Sequence, residues 1–531
     1  MNTIYRLLLC LVCLAFFQSF VIAQQPFITT WKTDNPGTSE DNQITIPTTG
    51  VGYNYTVNWG DGNSDQNVSG NITHTYSSPG TYTVSIIGNF PRIFFFNSGD
   101  KEKILTVEQW GDNQWASMES AFNGSSNLII NASDSPDLSN VTDMGDMFAG
   151  CSSLNQDIGH WDVSNVITIS FMFDRATSFN KNINQWDVSN VRIMEGVFSS
   201  ASDFNQPLDN WDLKNVTATN YMFASARSFN QDISSWDVSK VNEMASMFIG
   251  AISFDQNINS WDVSNVEYMT TMFMSASAFN QDISDWDVSK VRGMSRMFYF
   301  AESFNQNLSK WDVGNVVGMN QMFRSAFAFN QDLSGWNIGN VEGMEEMLDL
   351  CGLSRINLDK TLIGWAALPT LKSNVPIGVR GLTYCNSEAA RNKLISINNW
   401  VFNGSTKDCS NSAPTDILLT SNFIDENNLD GELIGTLTTI DDDSDDTPTY
   451  DITSGEDLFE IIGDQLLAKV AFDFEASDTY EVVIITSDND GLTFEKSFSI
   501  SVNNVNEAPN DINLSANTIL ENNSVGDLIG T

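Results

Sequence analysis

Apolar residues return along this chain with a fixed step. Trp161, Trp186, Trp211, Trp236, Trp261, Trp286, Trp311 and Trp336 stand 25 residues apart throughout. A phenylalanine follows each Trp at position +12, from Phe173 to Phe323, and Leu348 closes the row. Asp follows Trp in the first seven units, from Asp162 to Asp312, and Asn337 takes the eighth place. A fixed period of this length marks a repeat array, in which no unit buries its apolar face alone and stacked neighbours bury a continuous core. In the unit that begins at Ser228, Val241, Met244, Met247, Phe248 and Ala251 fall at i, i+3, i+6, i+7 and i+10. That spacing predicts one face of a helix of about three turns, with Asp237 or Ser239 as N-cap. Phe229, Ile233, Trp236 and Val238 supply the apolar positions of an extended half. Strand plus helix in every unit predicts an α/β solenoid.

Further rows sharpen this. Asn155, Asn180, Asn205, Asn230, Asn280, Asn305 and Asn330 form a column, with Asp255 as its exception. A ladder bonding the turn backbone is the expected role, and a ligand row is the alternative. The Asp column needs a local partner, because like charges stacked ~5 Å apart repel. Helix capping suffices, and a line of bound cations is the alternative. The Met-rich stripe reads as core, since Met fills irregular gaps. Ala176 to Ala326 form a small-residue row whose first and last members are Cys151 and Cys351. Layers ~5 Å apart put these two roughly 40 Å from each other, beyond the reach of a disulfide, so both are expected as buried free thiols. An earlier unit is clear at 138–148 and a degenerate one at 115–122, as expected of terminal repeats. The pattern stops after Leu348. Residues 349–410 are expected to cap the array with Trp365, Leu368, Leu371, Tyr384, Leu394, Ile397 and Trp400, stapled by Cys385–Cys409.

The flanks follow another period. Residues 27–100 alternate apolar and polar positions between turn signals, as in a small β-sandwich. Residues 411–508 read as strands again, at 417–419, 433–437, 480–486 and 494–502. Between these strands carboxylates gather in spaced sets. Residues 508–512 then repeat 413–417, and Glu521 repeats Glu426, 95 positions on. A module that stops a quarter of the way in cannot bury a core, so the chain is expected to be part of a longer polypeptide.

Composition narrows the function. The chain has 531 residues, with 67 Asp and Glu against 25 Lys and Arg, for a net charge of −42. That excludes nucleic acid and anionic membranes as main partners, since both require basic patches. With 41% hydrophobic residues it is not a disordered acidic tail. His74 and His160 are the only histidines, which leaves no room for His-based catalysis or multi-His metal sites. Residues 1–23 carry Arg6, an apolar run over 7–17 and Val21-Ile22-Ala23 before Gln24, the pattern of a secretory signal peptide. The run is short of the ~20 residues that span a bilayer, and no other long apolar run exists. The excess charge is uneven: residues 411–531 hold 26 acidic and 2 basic residues.

The unit F-N-Q-D-I-S-x-W-D-V-S-x-V-x-x-M-x-x-M-F resembles the short surface-protein repeat of the BspA-like leucine-rich-repeat family, over about residues 104–350. The resemblance implies exported or surface-displayed bacterial proteins, a leucine-rich-repeat-like solenoid, and roles in adhesion and partner binding. Residues 55–63, with their W-G-D-G turn, and residues 74–86, H-T-Y through G-T-Y-T-V, resemble a PKD-type immunoglobulin-like domain. There His74 is a structural strand residue, and Asp61 a turn residue, since Asp-Gly suits tight hairpins.

The carboxylate sets of residues 411–508 offer hard oxygen ligands of the kind Ca²⁺ takes in sixes to eights, and their order resembles a cadherin-like domain. The resemblance implies a Ca²⁺ ligand set of Glu426, Asp441, Asp443, Asp473, Glu475, Asp488, Asn504, Asn506 and Glu507. Asp441, Asp443 and Asp488 would face the preceding linker, and the other six the next module. The linker departs from the family pattern: Asn504 and Glu507 replace Asp, and one residue is missing.

The expected fold is thus multidomain: a central α/β leucine-rich-repeat-like solenoid flanked by all-β immunoglobulin-like sandwiches, PKD-like and cadherin-like. The expected boundaries are 1–23 signal peptide, 24–103 PKD-like sandwich, 104–348 solenoid, 349–410 cap, 411–508 cadherin-like domain and 509–531 start of a second one. The expected function is that of a secreted or cell-surface binding or adhesion protein, displayed on a bacterial cell, with a Ca²⁺-stiffened stalk. Its partner would be an extracellular protein or glycan, a neighbouring cell or a second copy. Recognition would use repeat positions that vary between units, such as Ile167-Thr168, Arg192-Ile193, Asn242-Glu243 and Arg292-Gly293. The alternative is a structural component of an extracellular matrix or surface layer, built by self-association. An enzyme is not expected: a glycoside hydrolase needs a placed carboxylate pair, and no non-repetitive domain of catalytic size is visible.

Overall fold

The computed structural model describes residues 24–410, 412–441, 447–488, 491–506 and 524–525. The expected leader at 1–23 lies outside them, as does the expected second module apart from Ser524 and Val525. Two compact units divide the chain, Met1–Asp408 and Cys409–Thr531.

The first unit opens with β1 (Phe27–Lys32), β2 (Gln43–Ile46), β3 (Asn54–Asn58), β4 (Ser64–Val68), β5 (Ile72–Thr75), β6 (Thr81–Asn89), β7 (Ile104–Gln109) and β8 (Ile129–Ile130). Six of these make one sheet in the order β4-β3-β6-β1-β7-β8, and β2 pairs with β5. Alternation does what the pattern promised: Phe27 and Trp31 of β1 point inward, as do Tyr55 and Val57 of β3. The sheet does not end at residue 103. β7 pairs with β1, β8 pairs parallel to β7, and one apolar core runs on without interruption from Phe27 to Trp400.

From Gln114 onward each layer forms one parallel β-bridge to the next. Asp143 bridges Thr168, Thr168 bridges Ile193, and the series continues every 25 residues to Gly343. Inside, Phe223 and Phe248 stack at 5.7 Å and 7°. From Trp186 to Trp336 the indole reaches back one layer: Trp236 Nε1 donates to Leu208 O at 2.9 Å, Trp261 Nε1 to Ile233 O at 3.1 Å. Identical residues repeat because each row is its own packing partner.

The expected α/β leucine-rich-repeat class is overturned here. Among the described residues only two α-helices occur, α1 (Arg355–Ala367) and α2 (Glu388–Asn398), and both follow the repeats. Every repeat is bridge and turn. In the unit read above as helical, Ser246 and Gly250 take left-handed backbone, with φ of 59° and 68°. Alternate N–H groups leave the layer: those of Ser246, Phe248 and Gly250 donate to the carbonyls of Thr270, Met272 and Met274. Those between them close tight turns, Met247 to Met244 O, Ile249 to Ser246 O and Ala251 to Phe248 O. Consecutive turns bring Val241, Met244, Met247, Phe248 and Ala251 inward at the same spacing a helix would. A left-handed residue other than Gly costs roughly 1–2 kcal/mol. The interlayer hydrogen bonds, worth about 1 kcal/mol each, offset it.

The last layers are covered by α1, β9 (Pro376–Gly378), β10 (Thr383–Tyr384), α2, β11 (Val401–Asn403) and β12 (Thr406–Lys407). The rows carry on into this cap. Met344 bridges Ile377, and Trp365 Nε1 of α1 donates to Leu333 O at 2.9 Å. Ser354 caps α1 through its hydroxyl. Of the residues expected to cover the array, Trp365, Tyr384, Leu394 and Trp400 are buried, while Ile397 is exposed.

The second unit holds β13 (Asp416–Leu419), β14 (Phe423–Asp425), β15 (Leu433–Ile440), β16 (Thr449–Ser454), β17 (Phe459–Ile462), β18 (Gln465–Ala468), β19 (Thr479–Ser487) and β20 (Thr493–Asn503). They form two four-stranded sheets, β13-β15-β18-β17 and β14-β20-β19-β16. A separate core collects Ile417, Leu437, Phe459, Leu466, Val482, Ile484 and Ile500.

Candidate functional site

β14 runs parallel to β20 with Asp425 opposite Asn503, so Glu426 and Asn504 leave the sheet side by side. The Glu426 carboxylate is buried, 4% exposed. Its Oε1 accepts the Val505 N–H at 2.7 Å and its Oε2 the Phe474 N–H at 3.0 Å. Those bonds fasten the 473–475 loop and the chain after β20 to one side chain. As a result Glu426, Asp473 and Glu475 each present a carboxylate oxygen within 4.8 Å of the others. Asn504 Nδ2 donates to Glu475 Oε1 at 3.1 Å. Two carboxylates at this separation repel by roughly 3 kcal/mol at an effective dielectric near 20. A divalent cation between them reverses that sign. The donors are all hard oxygens, the set that Ca²⁺ takes, and the residues present fit it.

The other candidates lie elsewhere. In the β19–β20 hairpin Ser487 faces Thr493 at one end and Thr479 faces Ser501 at the other. Asp488 therefore sits at the opposite end from Glu426 and Asn504. It is 7% exposed, and its Oδ1 accepts the Leu492 N–H at 2.7 Å, closing the turn between β19 and β20. Thr439 and Thr486 share a hydroxyl hydrogen bond of 2.6 Å, and Asp441, also buried, follows two residues after Thr439. Asn506 is exposed beyond Asn504. Asp443 and Glu507 lie outside the described residues. What sequence reasoning missed is the pair of backbone N–H groups that hold Glu426; no side-chain pattern announces a main-chain donor.

The repeat carboxylates behave differently. Asp237 Oδ1 accepts the Ser239 N–H at 3.1 Å and its hydroxyl at 2.6 Å, an Asx turn rather than a helix cap. Asp162, Asp187, Asp262 and Asp287 likewise accept the N–H groups of Ser164, Ser189, Ser264 and Ser289. The Asn column spans layers: Asn205 Oδ1 accepts the Asn230 N–H at 3.0 Å, and Asp255 Oδ1 accepts the Asn280 N–H at 2.9 Å. It is half-buried to exposed, a backbone ladder along one edge.

Cys151 and Cys351 are free and buried, and burial pushes the Cys351 thiol up to about 12. Cys385 and Cys409 are disulfide-bonded. In the first β-module His74 stacks on Trp59 at 4.7 Å and meets Asp61 at 2.9 Å. Desolvation pushes the Asp61 carboxyl up, but hydrogen bonds from His74 and Asn63 outweigh it and hold the group at about 2. No helix among the described residues is long and apolar enough to cross a membrane.

Residues 116–234, 207–302 and 280–361 match a family described as "Mycoplasma protein of unknown function, DUF285". Among solved structures, one titled "PcdhgB3 EC1-4 in 50 mM HEPES" is 25% identical over 19% of this chain, with a TM-score of 0.17. The match covers 27% of that structure's chain. No curated protein matches this one.

Proposed function

We propose that this chain is an exported binding protein, displayed on a bacterial surface, whose repeat column presents a graded surface to an extracellular protein, glycan or cell. The observation that carries the reading is a contrast between rows. Interior rows hold Trp, Phe and Ala almost unchanged through the column. The exposed rim changes at every step, running Ile167, Arg192, Thr217, Asn242, Glu267, Arg292, Val317 and Glu342. Pure stacking rewards uniform rows, whereas a ligand of uneven chemistry rewards a varied rim. The β-modules on either side, PKD-like and cadherin-like in motif, act as spacers. Ca²⁺ held by Glu426, Asp473 and Glu475 removes their mutual repulsion and stiffens the loops Glu426 ties together. The chain carries out recognition rather than catalysis.

The test is retention of the fluorescently labelled full chain on bacterial cells, host cells and isolated matrix. A second chain carries serine at Arg192, Asn242, Glu267 and Arg292. Saturable retention that falls in the serine chain supports the reading. Equal retention of both chains, or none by either, overturns it. Growth of large assemblies in light scattering without any ligand favours the self-assembling matrix component instead.

A further inference from the structure

The chain leading into β1 is fastened from the very residue that the expected leader cut exposes. Val21 and Ala23 place that cut before Gln24. The register of β1 on β6, with Phe27 opposite Ile86, carries the chain before β1 alongside Gly88. There the Gly88 N–H donates to Gln24 Oε1 at 3.1 Å. Asp112 grips the next residue twice: its Oδ2 accepts the Gln25 N–H at 2.7 Å, and its own N–H donates to Gln25 O at 3.0 Å. Gln109 Nε2 donates to Pro26 O at 2.9 Å. Position 88 favours glycine, with a φ of 102° and a Cβ that would stand 2.8 Å from Asn54 O. Gly88 therefore brings no side chain of its own to the amide of Gln24, which is exposed.

We infer that Gln24 is a modification site: once the leader is cut away, its amine closes on its own side-chain amide, and the exported chain begins with pyroglutamate. The inference rests on the export part of the reading above. An α-amine titrates at about 8, so a share of it is neutral at pH 7. Its nitrogen attacks Gln24 Cδ. The N–Cδ bond forms and closes a five-membered lactam, while the Cδ–Nε2 bond breaks. The departing Nε2 group takes the proton that the amine gives up and leaves as ammonia, so the step needs no co-reactant. The fold supplies the Gly88 N–H. It lies at Oε1, the oxygen that takes up negative charge as the amine adds, and a donor fixed there lowers the barrier. Asp112 keeps Gln25 in place while the ring closes. The lactam leaves no free amine at the end of the segment that leads into β1, a strand paired with both β6 and β7. If the Gln24 side chain only prolongs the β1–β6 pairing, the amine stays free.

The experiment is mass spectrometry of the first peptide of the full chain, made with its leader in an exporting bacterium and recovered outside the cells. A peptide that begins at Gln24 and is short of one ammonia supports the inference. Q24S should be cut at the same place and show no loss of ammonia; a loss that persists in Q24S overturns the assignment to Gln24. The part given to Gly88 is read from rates. The uncut full chain is trimmed with signal peptidase in vitro, and closure is timed beside that of the synthetic peptide of residues 24–30, which has no Gly88. The full chain is expected to close about tenfold faster, the worth of about one hydrogen bond in the barrier. An equal or slower rate overturns the role of the fold. A first peptide that begins at Gln24 and keeps its ammonia, or one that begins at any other residue, overturns the inference while the export reading stands. A chain that stays uncut inside the cells overturns the export reading together with this one. Pyroglutamate on a chain that no cell or matrix retains supports this inference and overturns the surface-binding reading instead.

Discussion

The repeat column and the second unit both carry many carboxylates, and they use them in opposite ways. In the column the Asp that follows each Trp is satisfied within two residues of itself, as Asp237 is by Ser239. In the second unit Glu426, Asp473 and Glu475 come from positions up to 49 residues apart and face one another. The first arrangement needs nothing from outside. The second gathers like charges whose oxygens a cation would share. The same residue type therefore closes a turn in one region and forms a candidate ligand set in the other, and only the spacing in space separates them.

The largest test of this contrast is on the core. All 14 tryptophans lie within residues 24–410, so their fluorescence follows the first unit alone. W261A removes an indole 3% exposed together with its hydrogen bond to Ile233 O. It is expected to cost about 3–5 kcal/mol in denaturant unfolding. A loss under about 1 kcal/mol would mean that the rows do not carry the column's stability.

Much of the column was legible in the sequence because its interior is a row of identical residues. Trp at a period of 25 places every layer, and Cys151 and Cys351 follow from their seats in the Ala row. The turns that stand in place of the expected helix were not legible. Val241, Met244, Met247, Phe248 and Ala251 have an inward spacing that consecutive turns share with a helix. The left-handed positions carry no uniform signal: Ser246 and Gly250 fill them in one unit, but Phe171, Tyr221, Arg296 and Gln321 fill the Ser246 position in others. In the second unit the order of carboxylates located Glu426, Asp473, Glu475 and Asn504 at one end, but their closeness depends on backbone donors at Phe474 and Val505.

The second test is Ca²⁺ itself. Adding it at about a hundredfold over its dissociation constant should stabilise the second unit by about 2.7 kcal/mol, read by far-ultraviolet dichroism. E475Q should lose most of that gain, yet be no less stable than the parent in EDTA, because one repelling charge is gone. D237N should leave the Ca²⁺ response unchanged. Equal responses in parent and E475Q would remove Glu475 from the site.

A smaller effect separates turn from helix. Ser275 has a φ of 57° in the row where the preceding layer carries Gly250. S275G relieves a left-handed side chain and is expected to stabilise the first unit by up to about 1 kcal/mol. In a helix the same change would cost about 0.5 kcal/mol, the difference between Ser and Gly in helix propensity. The sign of the shift in tryptophan-monitored unfolding decides between them.

The smallest effect is a dependence on pH. Asp162, Asp187, Asp237 and Asp287 titrate below the ordinary value of 3.8, held down first by the Ser hydroxyl and then by the Ser N–H two residues on. A carboxyl lowered on folding contributes stability that is present above its unfolded pKa and lost as pH falls through its folded one. The column should therefore hold its stability down to about pH 4 and lose it progressively below. Asn337 already makes the turn without a charge, accepting the Gly339 N–H at 3.2 Å. D237N should thus cost only a few tenths of a kcal/mol at pH 7, the turn bond being kept, and should flatten one share of the acid limb. The comparison of parent and D237N unfolding at pH 7 and pH 3 checks both. A large loss at pH 7 would mean that the charge, and not the turn it closes, is what the Asp row contributes.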